Sequence, residues 1–306
     1  MTLIQLQYVI AIAECGSYNK ASQILYVAQP SLTSSINELE KEVGIKIFSR
    51  NGRGAVLTTE GTEFLEYAKQ VIYQYDKLLE NFGSGAKRKK SFGISTQHYS
   101  FATKAFVELV KFYGTDEYEF AIRETKTREV IDDVAGLKSE IGILFLSDFN
   151  RAVLERLFKT SRLEFTPLTK CNAYVYLWKN HPLAKNESIT LADLAEYPCL
   201  MFEQGEDGSY YYSEEILSTN VYPRTIKAND RATMLNLMIG LNGFTLCSGI
   251  ICEELNGGDY IAVPYKEDSE NPNSIMEIGY IKKEGLELSH IGERYIEEIK
   301  KYLGLE

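Results

Sequence analysis

The chain has 306 residues, 44% of them hydrophobic and 25% charged, with a formal net charge of −10. That size suggests about two domains, and the balance excludes both a disordered chain and one that is basic over its whole surface. No stretch approaches the roughly 18 apolar residues of a membrane span, and the opening MTLIQLQYVIAIAECG lacks the basic flank and cleavage site of a secretory leader, so a cytoplasmic protein without a membrane partner is expected.

The charge is unevenly spread. Residues 1–90 carry 11 Lys and Arg against 9 Asp and Glu, and residues 91–306 carry 22 against 34. A neutral-to-basic front on an acidic body suits a local polyanion site, although chance produces such asymmetry too. Cys15, Cys171, Cys199, Cys247 and Cys252 form an odd, scattered set without a CxxC, which reads as reduced thiols. His98, His181 and His290 lie far apart, so no metal site is expected.

Leu6, Val9, Ile10 and Ala13 recur at helical spacing and stop at Gly16. Ser17 can cap a second helix, Tyr18 to Leu25, with Ala21, Ile24 and Leu25 inward. Pro30 fits the first turn of a third helix, whose buried stripe is Leu32, Ile36, Leu39 and Val43 and whose end is Gly44. The other face carries Gln29, Ser31, Thr33, Ser34 and Asn37, short groups that hydrogen-bond without long charged arms. Ile45–Phe48 and Ala55–Leu57 then flank a Gly-rich tip with Arg50 and Arg53, a hairpin able to reach phosphates or a minor groove. Two short helices joined by a tight turn and followed by such a wing predict a winged helix-turn-helix at 1–58, a geometry also found in domains that bind no DNA.

From Thr58 the chain predicts one long helix. Phe64, Ala68, Val71, Tyr75, Leu78 and Phe82 follow alternating gaps of four and three, with Leu65, Ile72 and Leu79 as a second stripe. Thr59 to Phe82 would span roughly 36 Å. So long an apolar seam beside so small a domain predicts a homodimer through 59–82, with packing onto its own domain as the alternative. Residues 59–86 are read as this linker, with Gly83–Ala86 as its flexible end, and 87–90 as a basic hinge more suited to solvent than to DNA.

The run Ala21-Ser22-Gln23-Ile24-Leu25, Gln29-Pro30-Ser31-Leu32-Thr33, Ile36-Asn37-Glu38-Leu39-Glu40, Val43-Gly44-Ile45-Lys46-Ile47-Phe48-Ser49-Arg50 and Leu57-Thr58-Thr59-Glu60-Gly61 closely resembles the winged helix-turn-helix of LysR-type transcriptional regulators. The resemblance implies double-stranded DNA as a partner and the third helix in the major groove. It places Gln29, Ser31 and Thr33 toward bases and Arg50, Arg53 and Thr58 near phosphate or minor groove, with Lys20, Pro30 and Ser34 also among the expected DNA-binding residues. Many members of that family carry arginine where this chain has Ser34, so base readout is not inherited at that position. The family also dimerises through the long helix, and a homotetramer is a family expectation.

Beyond residue 90, strands are predicted at Phe92–Ser95, Glu119–Arg123, Ile141–Phe145, Ala173–Trp178, Cys199–Phe202, Thr225–Ala228, Phe244–Cys247 and Tyr260–Val263, with helices at Tyr99–Tyr113 and Arg128–Leu137. The alternation predicts an α/β fold with parallel sheets. His181-Pro182-Leu183-Ala184, Thr190-Leu191-Ala192-Asp193-Leu194, Tyr197-Pro198 and Gly243-Phe244-Thr245 resemble the effector domain of the same family. That resemblance implies two Rossmann-like lobes similar to a solute-binding protein, set here at 91–163 with 269–306, and at 164–268.

In such lobes ligands lie beyond the carboxyl ends of strands, beside helix N-termini. The candidates are Ser95, Thr96, Gln97, His98, Thr125, Thr127 and Ser147 in one lobe and Glu203, Gln204 and Thr245 in the other. Hydroxyls and amides there suit a small carboxylate or other anion, held chiefly by Ser95 and Thr96. Equally, Ser and Thr at these places cap helices. Tyr210-Tyr211-Tyr212 could lid the cleft or simply pack.

Peroxide sensing within the family needs a cysteine in the loop that here reads Glu203 to Ser209, and none occurs there. No phosphate-binding loop, dinucleotide fingerprint, HExxH or nucleophile elbow is present, so neither enzyme activity nor a cofactor is expected. The expected function is a sequence-specific DNA-binding regulator controlled by a small effector. The alternative is a small-molecule-binding protein whose winged domain no longer reads specific DNA.

Overall fold

The computed structural model describes residues 1–51, 54–82, 89–205, 209–267 and 274–305, and the side chains of all of these except 50–51 and 80–82. The chain divides into two compact units, Met1–Lys89 and Lys90–Glu306.

The first unit opens with α1 (Leu3–Cys15), where Thr2 and Gln5 cap each other reciprocally and Gly16 closes the helix in the left-handed conformation. Ser17 caps α2 (Tyr18–Ile24), and Pro30 lies in the first turn of α3 (Gln29–Val43). Val9, Ile12, Ala21, Leu32, Ile36, Leu39 and Ile47 form the dry centre. Two sequence expectations fail here. Ile24 is not inward but 64% exposed, and Ile12, unremarked in the sequence, is fully buried. The α2 helix has only seven residues, too few to present two apolar faces to one core.

The hairpin consists of β1 (Phe48–Asn51) and β2 (Gly54–Leu57), antiparallel, with Phe48 opposite Leu57. Its first strand starts at Phe48 rather than Ile45, because the backbone N–H groups of Ile47 and Phe48 are already claimed by the buried Glu40 carboxylate, at 2.9 and 3.1 Å. The helix α4 (Thr59–Phe82) follows. Leu65 and Ala68 are buried against the unit's own core, while Tyr67, Val71 and Leu78 stand exposed.

The second unit contains a five-stranded sheet in the order β4-β3-β5-β12-β6. Here β3 is Lys90–Thr96, β4 Tyr118–Glu124, β5 Ile141–Leu146, β6 Leu163–Asn172 and β12 Ile275–Lys283. β3 pairs with β4 and β5 in parallel, and β12 pairs with β5 and β6 antiparallel. The all-parallel expectation is therefore corrected to a mixed sheet. The lobe boundary moves as well: residues 163–172 belong to the first lobe's sheet, not to a second lobe starting at 164. The strand was hidden because LEFTPLTKCN is polar and contains Pro167. It is an edge strand, and its register slips between Ile278 and Gly279, opposite Pro167, where a missing N–H costs least.

The helices α5 (Ser100–Tyr113), α6 (Thr127–Ala135), α7 (Arg151–Thr160) and α10 (His290–Leu303) flank this sheet. Tyr295 of α10 is fully buried and its hydroxyl donates to Ala102 O at 3.1 Å.

The second lobe holds an antiparallel sheet β10-β7-β11, formed by Thr245–Cys247, Tyr174–Trp178 and Tyr260–Pro264. Beside it lies the parallel pair β8 (Cys199–Phe202) and β9 (Thr225–Ala228), with a bridge from Cys199 to Phe244. α8 (Arg231–Leu241) and the short α9 (Glu253–Asn256) complete it. One apolar cluster runs through both lobes, from Phe92, Ile94 and Phe101 to Val175, Leu177 and Phe244.

Candidate functional site

Two sites emerge, one in each unit. In the first, α3 exposes Gln29, Pro30, Ser31, Ser34 and Asn37, with Thr33 half-buried. All but Asn37 are among the residues expected to contact DNA, and they lie along a helix whose opposite side is anchored by Leu32, Ile36 and Leu39. Ser34 Oγ donates to Glu38 Oε1 at 3.3 Å, one turn further along. Lys20 is exposed on α2. Arg53 and the side chain of Arg50 lie outside the described residues.

Thr58 is half-buried just before the start of α4. Its Oγ1 accepts the Gly61 N–H at 2.8 Å and donates to the carbonyl of Lys46, so the hydroxyl is spent on capping α4 and fastening it to the wing. At Gly54, φ is +117°, and a side chain there would run into the Gly16 carbonyl, which accepts the Ala55 N–H at 3.0 Å. The wing is thus keyed to the end of α1.

In the second unit the candidate ligand residues divide into two groups. Ser95 Oγ donates to Asp133 at 2.6 Å and lies 2.8 Å from Ser139 Oγ, and Thr96 Oγ1 donates to the Gln97 carbonyl at 2.8 Å. The two hydroxyls expected to carry a ligand are committed inside their own lobe. Thr125 Oγ1 donates to Glu129, the Ser147 N–H is taken by Asn150 Oδ1, and Glu203 is exposed. Thr125 lies beside Thr96, its N–H donating to the Thr96 carbonyl at 2.9 Å.

Gln97, His98, Thr127, Gln204 and Thr245 behave differently. Gln97 Nε2 donates to Thr127 Oγ1 at 2.6 Å, and Thr127 Oγ1 donates to the Tyr212 carbonyl at 2.7 Å. The Thr127 N–H donates to Gln204 Oε1 at 3.1 Å. The His98 ring stacks on Phe202 with centroids 3.8 Å apart. At their centre stands Glu214, which the sequence analysis did not single out. Its Oε2 accepts the His98 N–H at 2.9 Å and lies 2.8 Å from His98 Nδ1, and its Oε1 accepts Gln204 Nε2 at 2.8 Å. Arg231 on α8 pairs with Glu124 at the end of β4. Together these bonds tie the two lobes across a cleft.

A cavity of about 80 Å³ remains there, bordered by His98, Phe202, Glu214, Arg231 and Thr245 among others. Thr245 and His98 thus border the same cavity. No sequence signal pointed to Glu214, since an acidic residue in an acidic chain reads as solvated surface.

Burial pushes the Cys171 thiol up to about 11 and the Cys247 thiol up to about 12, and it raises Cys199 further still. No described helix is long and apolar enough to cross a membrane.

Comparison with known proteins agrees with both units. The model for the bacterial regulatory helix-turn-helix protein, lysR family, matches residues 3–62, and that for the LysR substrate binding domain matches residues 116–303. The chain is 26% identical over 285 residues to the uncharacterized HTH-type transcriptional regulator YvbU of Bacillus subtilis, covering 86% of this chain and 92% of that protein. It is 22% identical over 299 residues to the uncharacterized regulator YbhD of Escherichia coli, covering 94% and 87%. Its fold is similar to that of full-length OxyR from Pseudomonas aeruginosa, with a TM-score of 0.62 at 17% identity over 100% of this chain and 95% of that one. The corresponding values for CbnR, a LysR family transcriptional regulator, are 0.55 and 17%, over 99% of each chain. A winged reading head joined to a ligand-binding α/β body defines a DNA-binding transcriptional regulator, not an enzyme. The chain belongs to the LysR family of such regulators.

Proposed function

We propose that this regulator binds two half-sites of a dyad-symmetric operator as a homodimer joined along α4, and that a small anionic effector received between its lobes controls it. A homotetramer built from two such dimers, acting in the cytoplasm, completes the reading. The observation that carries DNA reading is the exposed row Gln29, Ser31, Ser34 and Asn37 on α3, short hydrogen-bonding groups with no large apolar side chain between them. Exposure of Tyr67, Val71 and Leu78 on α4 supports the dimer. Two copies of α3 related by a twofold axis would meet half-sites about one helical turn apart. The three donors converging on the Glu214 carboxylate support an anion as effector. An effector changes the DNA complex only by binding one arrangement of lobes or subunits more tightly than another.

A second reading keeps the ligand site but removes specific DNA readout. It is favoured by Ser34, which holds the Glu38 carboxylate on the exposed side of α3, where a negative charge repels phosphate. A gel shift with DNA upstream of the protein's own gene, across a salt series and with excess competitor, separates the two. Specific binding gives a competitor-resistant shift whose affinity falls steeply with salt, with a slope near −0.9 per phosphate neutralised. A shift lost to competitor at every salt concentration selects the second reading.

A further inference from the structure

The connection between β8 and β9 holds a stretch that contradicts its own composition. Ser213, Glu214, Glu215, Ile216, Leu217 and Ser218 run consecutively, four of the six are polar, and all are less than 9% exposed. Polar chain is buried this thoroughly only where its groups find partners. Glu214 finds three, two of them on His98 at the turn from β3 into α5. That turn, at the carboxyl end of a parallel strand and the start of a 14-residue helix, is where an α/β lobe offers free N–H groups to an anion.

We propose that Glu214 is a tethered competitor of the effector. Its carboxylate fills the anion position made by the N–H and ring of His98 and the amide of Gln204. A free carboxylate ligand takes that position only by expelling Glu214 and undocking the Ser213–Ser218 segment. This rests on the reading of the cleft as the effector site and deepens it.

Two further observations fit a segment poised to leave. Glu215, beside it, gives one oxygen to the Phe202 N–H at 2.7 Å, while its buried Oε2 has no hydrogen-bond partner. Leu217 sits at φ +58°, a strained conformation for a branched side chain. Both costs disappear on undocking, whereas the bonds of Glu214 and the burial of Ile216 and Leu217 oppose it. The docked segment also divides the available space. On one side lies the cavity of about 80 Å³, and on the other a hollow of about 420 Å³ bordered by Gln204, Ser213, Ser218 and Lys227, with Phe202 lining both. Small-molecule sites usually need about 300–1,000 Å³, which the space beside His98 falls short of while the segment stays docked and would reach by opening into the larger hollow.

The test uses the full chain, with sodium acetate as probe and sodium chloride at equal ionic strength as control. In Glu214→Ala the vacated position should take up acetate, seen as a saturable rise in Tm of a few degrees that chloride does not produce. The unaltered protein should need at least about tenfold more acetate for the same rise, because the tethered carboxylate competes. Equal midpoints for the two proteins, or no response specific to acetate in the variant, would overturn the proposal. If Glu214→Ala does not fold, Glu214→Gln and thermolysin cleavage at Ile216 and Leu217 serve instead. Faster cleavage in Glu214→Gln supports a released segment, and unchanged cleavage overturns it. None of these readouts involves DNA, so a failed gel shift would count against the regulator reading alone.

Discussion

Glu40 illustrates how one buried carboxylate assembles the reading head. It is 6% exposed on α3, accepts the N–H groups of Ile47 and Phe48, and pairs with Lys46 at 2.6 Å. Burial pushes its pKa upward, but the bonds from Lys46, Phe48 and Ile47 outweigh this and leave it below the usual 4.5. A depressed carboxylate stabilises the fold above its unfolded pKa, and that contribution is lost as pH falls through the folded value. Glu40→Ala should therefore lower stability by about 2 kcal/mol at neutral pH, with the difference shrinking under acid, as followed by denaturant unfolding across pH. Gly61 is equally constrained. A Cβ there would lie 2.0 Å from the Ile47 carbonyl, so Gly61→Ala should force α4 off the hairpin, cost roughly 1–3 kcal/mol and weaken DNA binding in the gel shift. Glu215 behaves in the opposite sense to Glu40. Desolvation, reinforced by neighbouring Glu214, raises its carboxyl from 4.5 to about 8. The native state then holds this proton more firmly than the unfolded chain does. Its stabilising effect is complete below about 4.5 and lost as pH rises toward 8. The Tm of the unaltered protein should accordingly fall, relative to that of Glu215→Gln, between pH 5 and pH 8, in thermal scans of both. In the sequence Gly61 and Glu40 were visible only as letters of a resemblance. Their reasons, a carbonyl at 2.0 Å and two orphan amides, are long-range contacts that local pattern does not encode.

At the scale of elements, α4 shows how far periodicity reaches. The heptad seam predicted one continuous helix, and Thr59–Phe82 is one. The seam does not serve a single purpose, however. In the early turns Ala68 is buried and Phe64 packs half-buried against the core of its own unit, which takes in Leu65 of the second stripe, whereas Val71 and Leu78 further along are 46% and 56% exposed. The same spacing thus anchors the helix at one end and leaves an apolar face at the other, a division set by where the small domain runs out of surface. If that face joins two copies, Val71→Lys combined with Leu78→Glu should convert the dimer to monomer with the helical content preserved. Sedimentation velocity reads the mass, and an unchanged dimer would refute the assignment. β6 marks the opposite limit. Its ten residues have no clean alternation and contain a proline, so nothing local identified them as a strand. Pairing with the full length of β12 supplies the missing information, and it brings residues 163–172 into the larger sheet.

Across the whole effector-binding unit, side chains of one lobe bond those of the other. Arg231 of one pairs with Glu124 of the other, both about a quarter exposed at 23% and 26%. Partial solvation limits such a pair, so Arg231→Ala should cost no more than about 1 kcal/mol, with faster hydrogen exchange at the carboxyl end of β4 as the local signature. The connections Thr127–Gln204, Thr127–Tyr212 and His98–Glu214 cross the same cleft. Sequence alone determined the first six helices and most strands, the reading head with its third helix, and the family, because these rest on hydrophobic spacing, caps and local turns that near neighbours dictate. Gln97, His98, Thr127, Gln204 and Thr245 were singled out as candidates because strand ends and helix starts can be located from local pattern. Only the tertiary structure decided that Ser95 and Thr96 point their hydroxyls into their own lobe, and that Glu214 arrives from 116 residues away to bond His98. Which side chain fills a cleft is set by the docking of distant segments, and that depends on packing and partner geometry instead of the composition of any one stretch.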